Sequence, residues 1–92
     1  MRFEWNEDKR RTNLQKHGLD FRDAHLVFND DAFVIEDPHD DYEEARYILQ
    51  GMLDQHIVIV VFTVGNNEII RIISMRKANK REQTSYVQKR FG

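Results

Sequence analysis

The chain has 92 residues, of which 40% are apolar and 33% charged, with a formal net charge of −2. That is enough for one modest core in a single domain over residues 1–92, marginal in size unless well made or shared with a partner. There is no cysteine, so disulfides and thiol chemistry are excluded, and the longest apolar run, Ile57 to Phe62, is far too short to span a bilayer. The first residues, "MRFEWNEDKRR", are charged and lack an apolar signal core, so a cytoplasmic protein with no membrane contact is expected.

In chain order, "RFEW" at Arg2–Trp5 reads as a short strand at a sheet edge, with Phe3 and Trp5 on one face. Asn6 is a helix cap, Glu7 and Asp8 suit a first turn, and the helix runs to about Lys16–His17, where Gly18 ends it. Asp20 caps a second helix with Phe21, Ala24, Val27 and Phe28 on its inner side, ending at "FNDD". The period then changes to strands: "FVIED" (Phe33–Asp37), a polar loop "PHDDYEEA", "RYILQGM" (Arg46–Met52), the doubly apolar "HIVIVVFTV" (His56–Val64), a "GNN" hairpin turn and "EIIRIIS" (Glu68–Ser74). A final helix is expected from Arg76 to about Arg90, with Ala78, Glu82 and Tyr86 on one face. The order β-α-α-β-β-β-β-α predicts an α+β fold. In it an antiparallel meander has the helices on one face, and its open face carries Arg46 and Arg71.

Charge is unevenly spread. Residues 1–70 hold 7 basic and 15 acidic side chains, a balance of −8, whereas residues 71–92 hold 7 basic and one acidic, a balance of +6. A polyanion at one end suits this polarity; a solvated basic helix with cations near its C-terminus suits it too. Nothing resembles HxxxH, HExxH, an EF-hand, GxSxG, a P-loop or GxGxxG, so no metal, cofactor or nucleotide is expected. "DPHDD" is best read as a solvated acidic loop, and His25, His39 and His56 receive no role.

What remains is metal-free work on a phosphodiester. RNA cleavage of that kind needs a base for the 2′-hydroxyl, cations for the charge growing on phosphorus, and a proton donor for the leaving oxygen. Arginine fits the second task because its planar fork matches phosphate oxygens and stays charged. Arg71, inside an apolar strand, reaches such a phosphate, a carboxylate such as Glu82, or solvent by snorkelling. Arg76, Lys77, Lys80 and Arg81 share one face if they all open the last helix, where backbone N–H groups also favour anions. His17 is either a proton-transfer group or simply a helix terminator. Trp5 and Tyr86 either stack a base or fill the core.

"FEWNEDKRRTNLQKHGLDFRDAHLVFNDD" (residues 3–31), "RYILQG" and "RIISMRKANKREQTSY" resemble BrnT-family toxins, in the same order and over nearly the whole chain. The carrying features are F-x-W, N-L-x-K-H-G, F-x-x-A-x-x-V-F and R-I-I-S-A-R-x-A-x-x-x-E-x-x-x-Y; Met75 stands where that family usually has alanine, beside the presumed site. The resemblance implies a RelE-like fold and a metal-independent ribonuclease that blocks translation. It also implies neutralisation by a BrnA-type ribbon-helix-helix antitoxin in a complex of two toxins with two antitoxins, with operator DNA bound only through the antitoxin. A catalytically inactive RNA-binding or antitoxin-binding module is the alternative. On this reading Arg71 and Arg76 meet the phosphate, His17 and Glu82 move protons, and Arg46, Ser74, Lys77, Lys80 and Arg81 contact the RNA.

Overall fold

The computed structural model describes residues 1–38 and 44–92; His39 and most of the DPHDD cluster and its polar loop lie outside the described residues. The chain runs through β1 (Arg2–Glu4), α1 (Glu7–His17), a 3-10 helix (Phe21–Val27), β2 (Phe33–Glu36), β3 (Arg46–Leu53), β4 (His56–Val64), β5 (Ile69–Lys77) and α2 (Lys80–Phe91), with a single 3-10 turn at Asn66–Glu68. Local chemistry accounts for the boundaries. The Asn6 side chain accepts a hydrogen bond from the Lys9 N–H at 3.0 Å, and Gly18 takes the left-handed conformation that closes α1. Asp20 caps the next segment, its carboxylate also gripping Arg22 and therefore lowered to about 2. That segment is a 3-10 helix rather than the expected α-helix. Its buried residues Phe21, Ala24 and Val27 recur every three positions, which is the 3-10 repeat.

The sheet has five strands in the order β1-β5-β4-β3-β2. Strands β2 to β5 form the antiparallel meander, and β1 adds at the edge as expected, but parallel to β5. The main core lies under one face, where Leu49, Val58, Val60, Phe62, Ile70, Ile72 and Met75 meet Phe21, Ala24 and Val27. Gly51 leaves room there: a Cβ on it would come within 2.5 Å of a Val27 methyl.

Two expectations about the helices fail. The helices do not share one face: α2 lies across the opposite side, its Tyr86 ring edge-on to Phe33 at 5.6 Å and its hydroxyl donating to the Asp31 carbonyl at 2.8 Å, so the face that carries Arg46 and Arg71 is not the open one expected. Nor does α2 start at Arg76. Strand β5 continues through Lys77, and α2 starts at Lys80 behind a capping box in which the Asn79 side chain accepts from the Glu82 N–H while the Glu82 carboxylate accepts from the Asn79 N–H. The Asn-x-x-Glu spacing carried that signal; the run of cations distracted from it.

Strand β1 covers β5 only from Ile69 to Arg71. Beyond that, the edge of β5 is capped by one side chain. The buried Asn13 of α1 donates to the Met75 carbonyl at 2.9 Å and accepts from the Met75 N–H at 3.2 Å, as a neighbouring strand would. Its second N–H proton goes to the Leu19 carbonyl at 3.1 Å. Replacing it with alanine leaves buried backbone groups unpaired, so Asn13→Ala is expected to lower unfolding stability by roughly 2–4 kcal/mol. Asn13→Asp, which cannot donate, should do no better. Urea denaturation of the three proteins measures this; a loss under roughly 1 kcal/mol for both variants contradicts the assigned role.

Candidate functional site

Register places the polar residues. On the face away from the main core, one row across the sheet reads Arg46, Thr63, Arg71 and Glu4; the next reads Ile35, Ile48, Val61 and Ser74; the third reads Phe33, Gln50, Ile59 and Arg76. Arg71 and Arg76 are five residues apart and would face opposite sides of a regular strand. They share a face because β5 carries a bulge: Ile72 sits opposite Phe62 and Ser74 opposite Val61, so Ile73 is the extra residue.

Both arginines meet carboxylates. Arg71, 45% exposed, lies 3.5 Å from Glu4 across the β1–β5 pair, not beside Glu82. Glu82 instead holds Arg76 in a two-pronged pair at 2.7 and 2.8 Å. That pair and the Asn79 amide lower the Glu82 pKa, the Arg76 hydrogen bonds acting most strongly, and the same contact raises Arg76. Glu82 is therefore an ionised carboxylate fastening the start of α2 to the third row of the sheet. The far end of the helix is fastened by Tyr86 and by Arg90, 2.9 Å from Asp31. Beneath α2 the buried Gln50 carbonyl oxygen has no hydrogen-bond partner among the described residues.

The expected cationic helix face does not exist. Lys77 ends β5 opposite Val58, on the side away from Arg76. Lys80 and Arg81 are exposed in the first turn of α2, where the helix dipole disfavours them; only Lys89 and Arg90 sit in the last turn, where it favours cations. Met75 also differs from expectation. It is fully buried in the core, on the side of the sheet opposite Arg71 and Arg76, so it shapes packing rather than access to them.

His17 ends α1 and lines a groove of about 350 Å³ between α1 and the bulge of β5, together with Ser74. His56 opens β4, exposed, beside a recess of about 220 Å³ that also touches Lys77. His25 is exposed, one ring nitrogen 3.0 Å from the Arg22 carbonyl. Tyr86 is buried between α2 and the sheet and presents no free ring for stacking, whereas Trp5 is partly buried against the core with its indole N–H donating to Glu7. Among the described residues, no group of three or more histidine, aspartate or glutamate side chains is placed to hold a metal ion. The residues missed from sequence were Glu4 and Thr63, which only register brings beside Arg71.

The family model of the ribonuclease toxin BrnT of type II toxin–antitoxin systems matches residues 5–82. The chain belongs to the BrnT family. The 1.1 Å crystal structure of the Brucella abortus ribonuclease toxin BrnT superposes with a TM-score of 0.73 at 37% identity, covering 87% of this chain and 99% of that one. No curated protein sequence matches. This BrnT-family toxin is thus a mixed α+β protein, with a five-stranded sheet, two α-helices and a longer 3-10 helix among the described residues, and as a type II toxin it has an antitoxin partner. No helix among the described residues is long and apolar enough to cross a membrane.

The Arg76–Glu82 pair has a pH signature. Glu82 titrates lower in the folded chain than its ordinary 4.5, so the unfolded chain binds that proton more readily. The pair's contribution is complete above about pH 4.5 and is lost as the pH falls below it. Glu82→Gln should therefore lose less stability than the unaltered toxin on going from neutral to strongly acidic solution. Parallel losses in thermal melts of the two proteins would show that the pair contributes nothing in solution.

Proposed function

We propose that this BrnT-family toxin is a RelE-like, metal-independent endoribonuclease built as one domain over residues 1–92, which inhibits translation by cutting RNA. The observation that carries the reading is the shared face: Arg71, Ser74 and Arg76 lie together on the side of β5 away from the main core, with Arg46 in the Arg71 row. Two guanidiniums flanking a hydroxyl suit a phosphodiester, holding its oxygens while charge grows on them. Arg71 and Arg76 then act on the scissile phosphate, Ser74 positions it, and Arg46 contacts the adjoining backbone. Lys77, Lys80 and Arg81 serve as outer RNA contacts, attracting the strand electrostatically.

Proton transfer falls to His17 and Glu82. Glu82, held ionised by Arg76, can only accept a proton and is a weak base, so His17 carries the larger share. RNA phosphate would compete with Glu4 and Glu82 for the two guanidiniums, and this exchange is the step that engages substrate. The same occupancy of both arginines by carboxylates favours a second reading, an inactive module that binds RNA or antitoxin without cutting. The antitoxin is proposed to be a BrnA-type ribbon-helix-helix protein, two copies with two toxins, which alone contacts operator DNA.

Arg71→Ala and Arg76→Ala should each lower the rate of RNA cleavage, measured in excess chelator, by roughly a hundredfold or more. Full activity in both variants would remove these residues from the site. Salt-sensitive RNA binding by the unaltered toxin without any cleavage would favour the inactive module.

A further inference from the structure

The groove between α1 and β5 holds more than the cleavage reading uses: His17 and Ser74 belong to that reading, whereas Lys9, Thr12 and Lys16 do not. Lys9, Thr12, Asn13, Lys16 and His17 are spaced by three and four along α1 and so line one side of it, facing Ile73 and Ser74. Asn13 is consumed by the Met75 backbone, but the others are not. Lys9 and Lys16 are exposed, and no carboxylate of the described residues pairs with either. The one acid in the groove, Asp8, is 91% exposed and turned to Arg11 at 3.8 Å. The groove is thus a cationic channel with hydroxyls at Thr12 and Ser74, carried on a chain whose first 70 residues are otherwise strongly acidic.

Its position connects it to the face that carries the arginines. Ser74 belongs to the row beside Arg71 and Arg76 and also lines the groove, because the extra residue at Ile73 falls where β1 no longer covers the edge of β5. A strand crossing the sheet past Arg71 can continue over this edge without leaving positive potential. We propose that the α1–β5 groove is a second subsite for single-stranded RNA. In it Lys9 and Lys16 hold backbone phosphates next to the pair of nucleotides bound at the sheet, and Thr12 adds a hydrogen bond. The proposal rests on the reading of the arginine-bearing face as the RNA-cleaving site.

Lys9 and Lys16 have no part in the proton transfer or in the grip of Arg71 and Arg76 on the scissile phosphate, so they set affinity for longer RNA rather than the chemistry. The test uses the full chain free of antitoxin and a fluorescently labelled single-stranded RNA of about 20 nucleotides, longer than the roughly 4–16 nucleotides that one small single-strand-binding fold covers. With Lys9→Ala/Lys16→Ala, affinity at low salt is expected to fall roughly tenfold, and the slope of log affinity against log salt to fall by about 1.4, two contacts at about 0.7 each. Cleavage of a short oligonucleotide that reaches only the sheet should be unchanged. Arg22→Ala, which removes an exposed cation outside the groove, controls for overall charge. Unchanged affinity and slope in the double variant, or an effect no larger than that of Arg22→Ala, overturns the subsite. A toxin that binds RNA but never cuts it sinks the nuclease reading alone, since the binding comparison still decides the groove. A toxin that binds no RNA sinks both.

Discussion

The carboxamide of Asn13 stands in for a missing strand. A β-strand whose edge is buried needs partners for its N–H and C=O groups, and β5 loses its β1 partner after Arg71. Asn13 meets the Met75 N–H and carbonyl together, and its remaining proton ties down the Leu19 carbonyl just beyond the end of α1. One side chain thereby fixes the distance from α1 to the sheet and the path of the chain leaving the helix. That distance determines whether a groove exists beside the bulge, and which α1 residues line it. The lysine and histidine around Asn13 owe their positions to it.

The second device is the bulge at Ile73. Strand geometry would send Arg71 and Arg76 to opposite faces; one unpaired residue reverses the alternation and keeps Ile70, Ile72 and Met75 in the core while both arginines emerge on the other side. The arginine spacing and the core spacing of β5 are satisfied together only with an odd residue between them. Glu4 and Glu82 then hold the two guanidiniums from different directions, one from the parallel edge strand and one from α2. These partly exposed pairs contribute little to stability. What they do is keep two cations aimed over the same strip of sheet in the absence of an anion.

The main elements were legible because they follow from short-range rules. Asn6 and Gly18 bound α1, the apolar alternation of β3 to β5 is a strand period, and the N-terminal segment does join the sheet edge. The last helix was misplaced by four residues because a row of cations was read as a helix face, although Asn79 and Glu82 carried the capping signal. Met75, expected beside the site, faces the core for a related reason. With β5 continuing through Lys77, Met75 and Arg76 are adjacent positions of one regular strand and so fall on opposite sides of the sheet.

By itself the sequence determined the charge polarity, the absence of thiols, the types and approximate bounds of most elements, and through its motifs the BrnT resemblance that the family match then established. All of these depend on residues within a few positions of each other, where propensity, capping and periodicity act. Only the tertiary structure decided that β1 runs parallel to β5, that α2 crosses the face that carries the arginines, that Arg71 pairs with Glu4 and Arg76 with Glu82, and that Ser74 joins that face to a groove beside His17. Those facts depend on register and on a single unpaired residue. A one-residue slip moves every later side chain to the other face, and no local pattern in the chain encodes which strand lies opposite which.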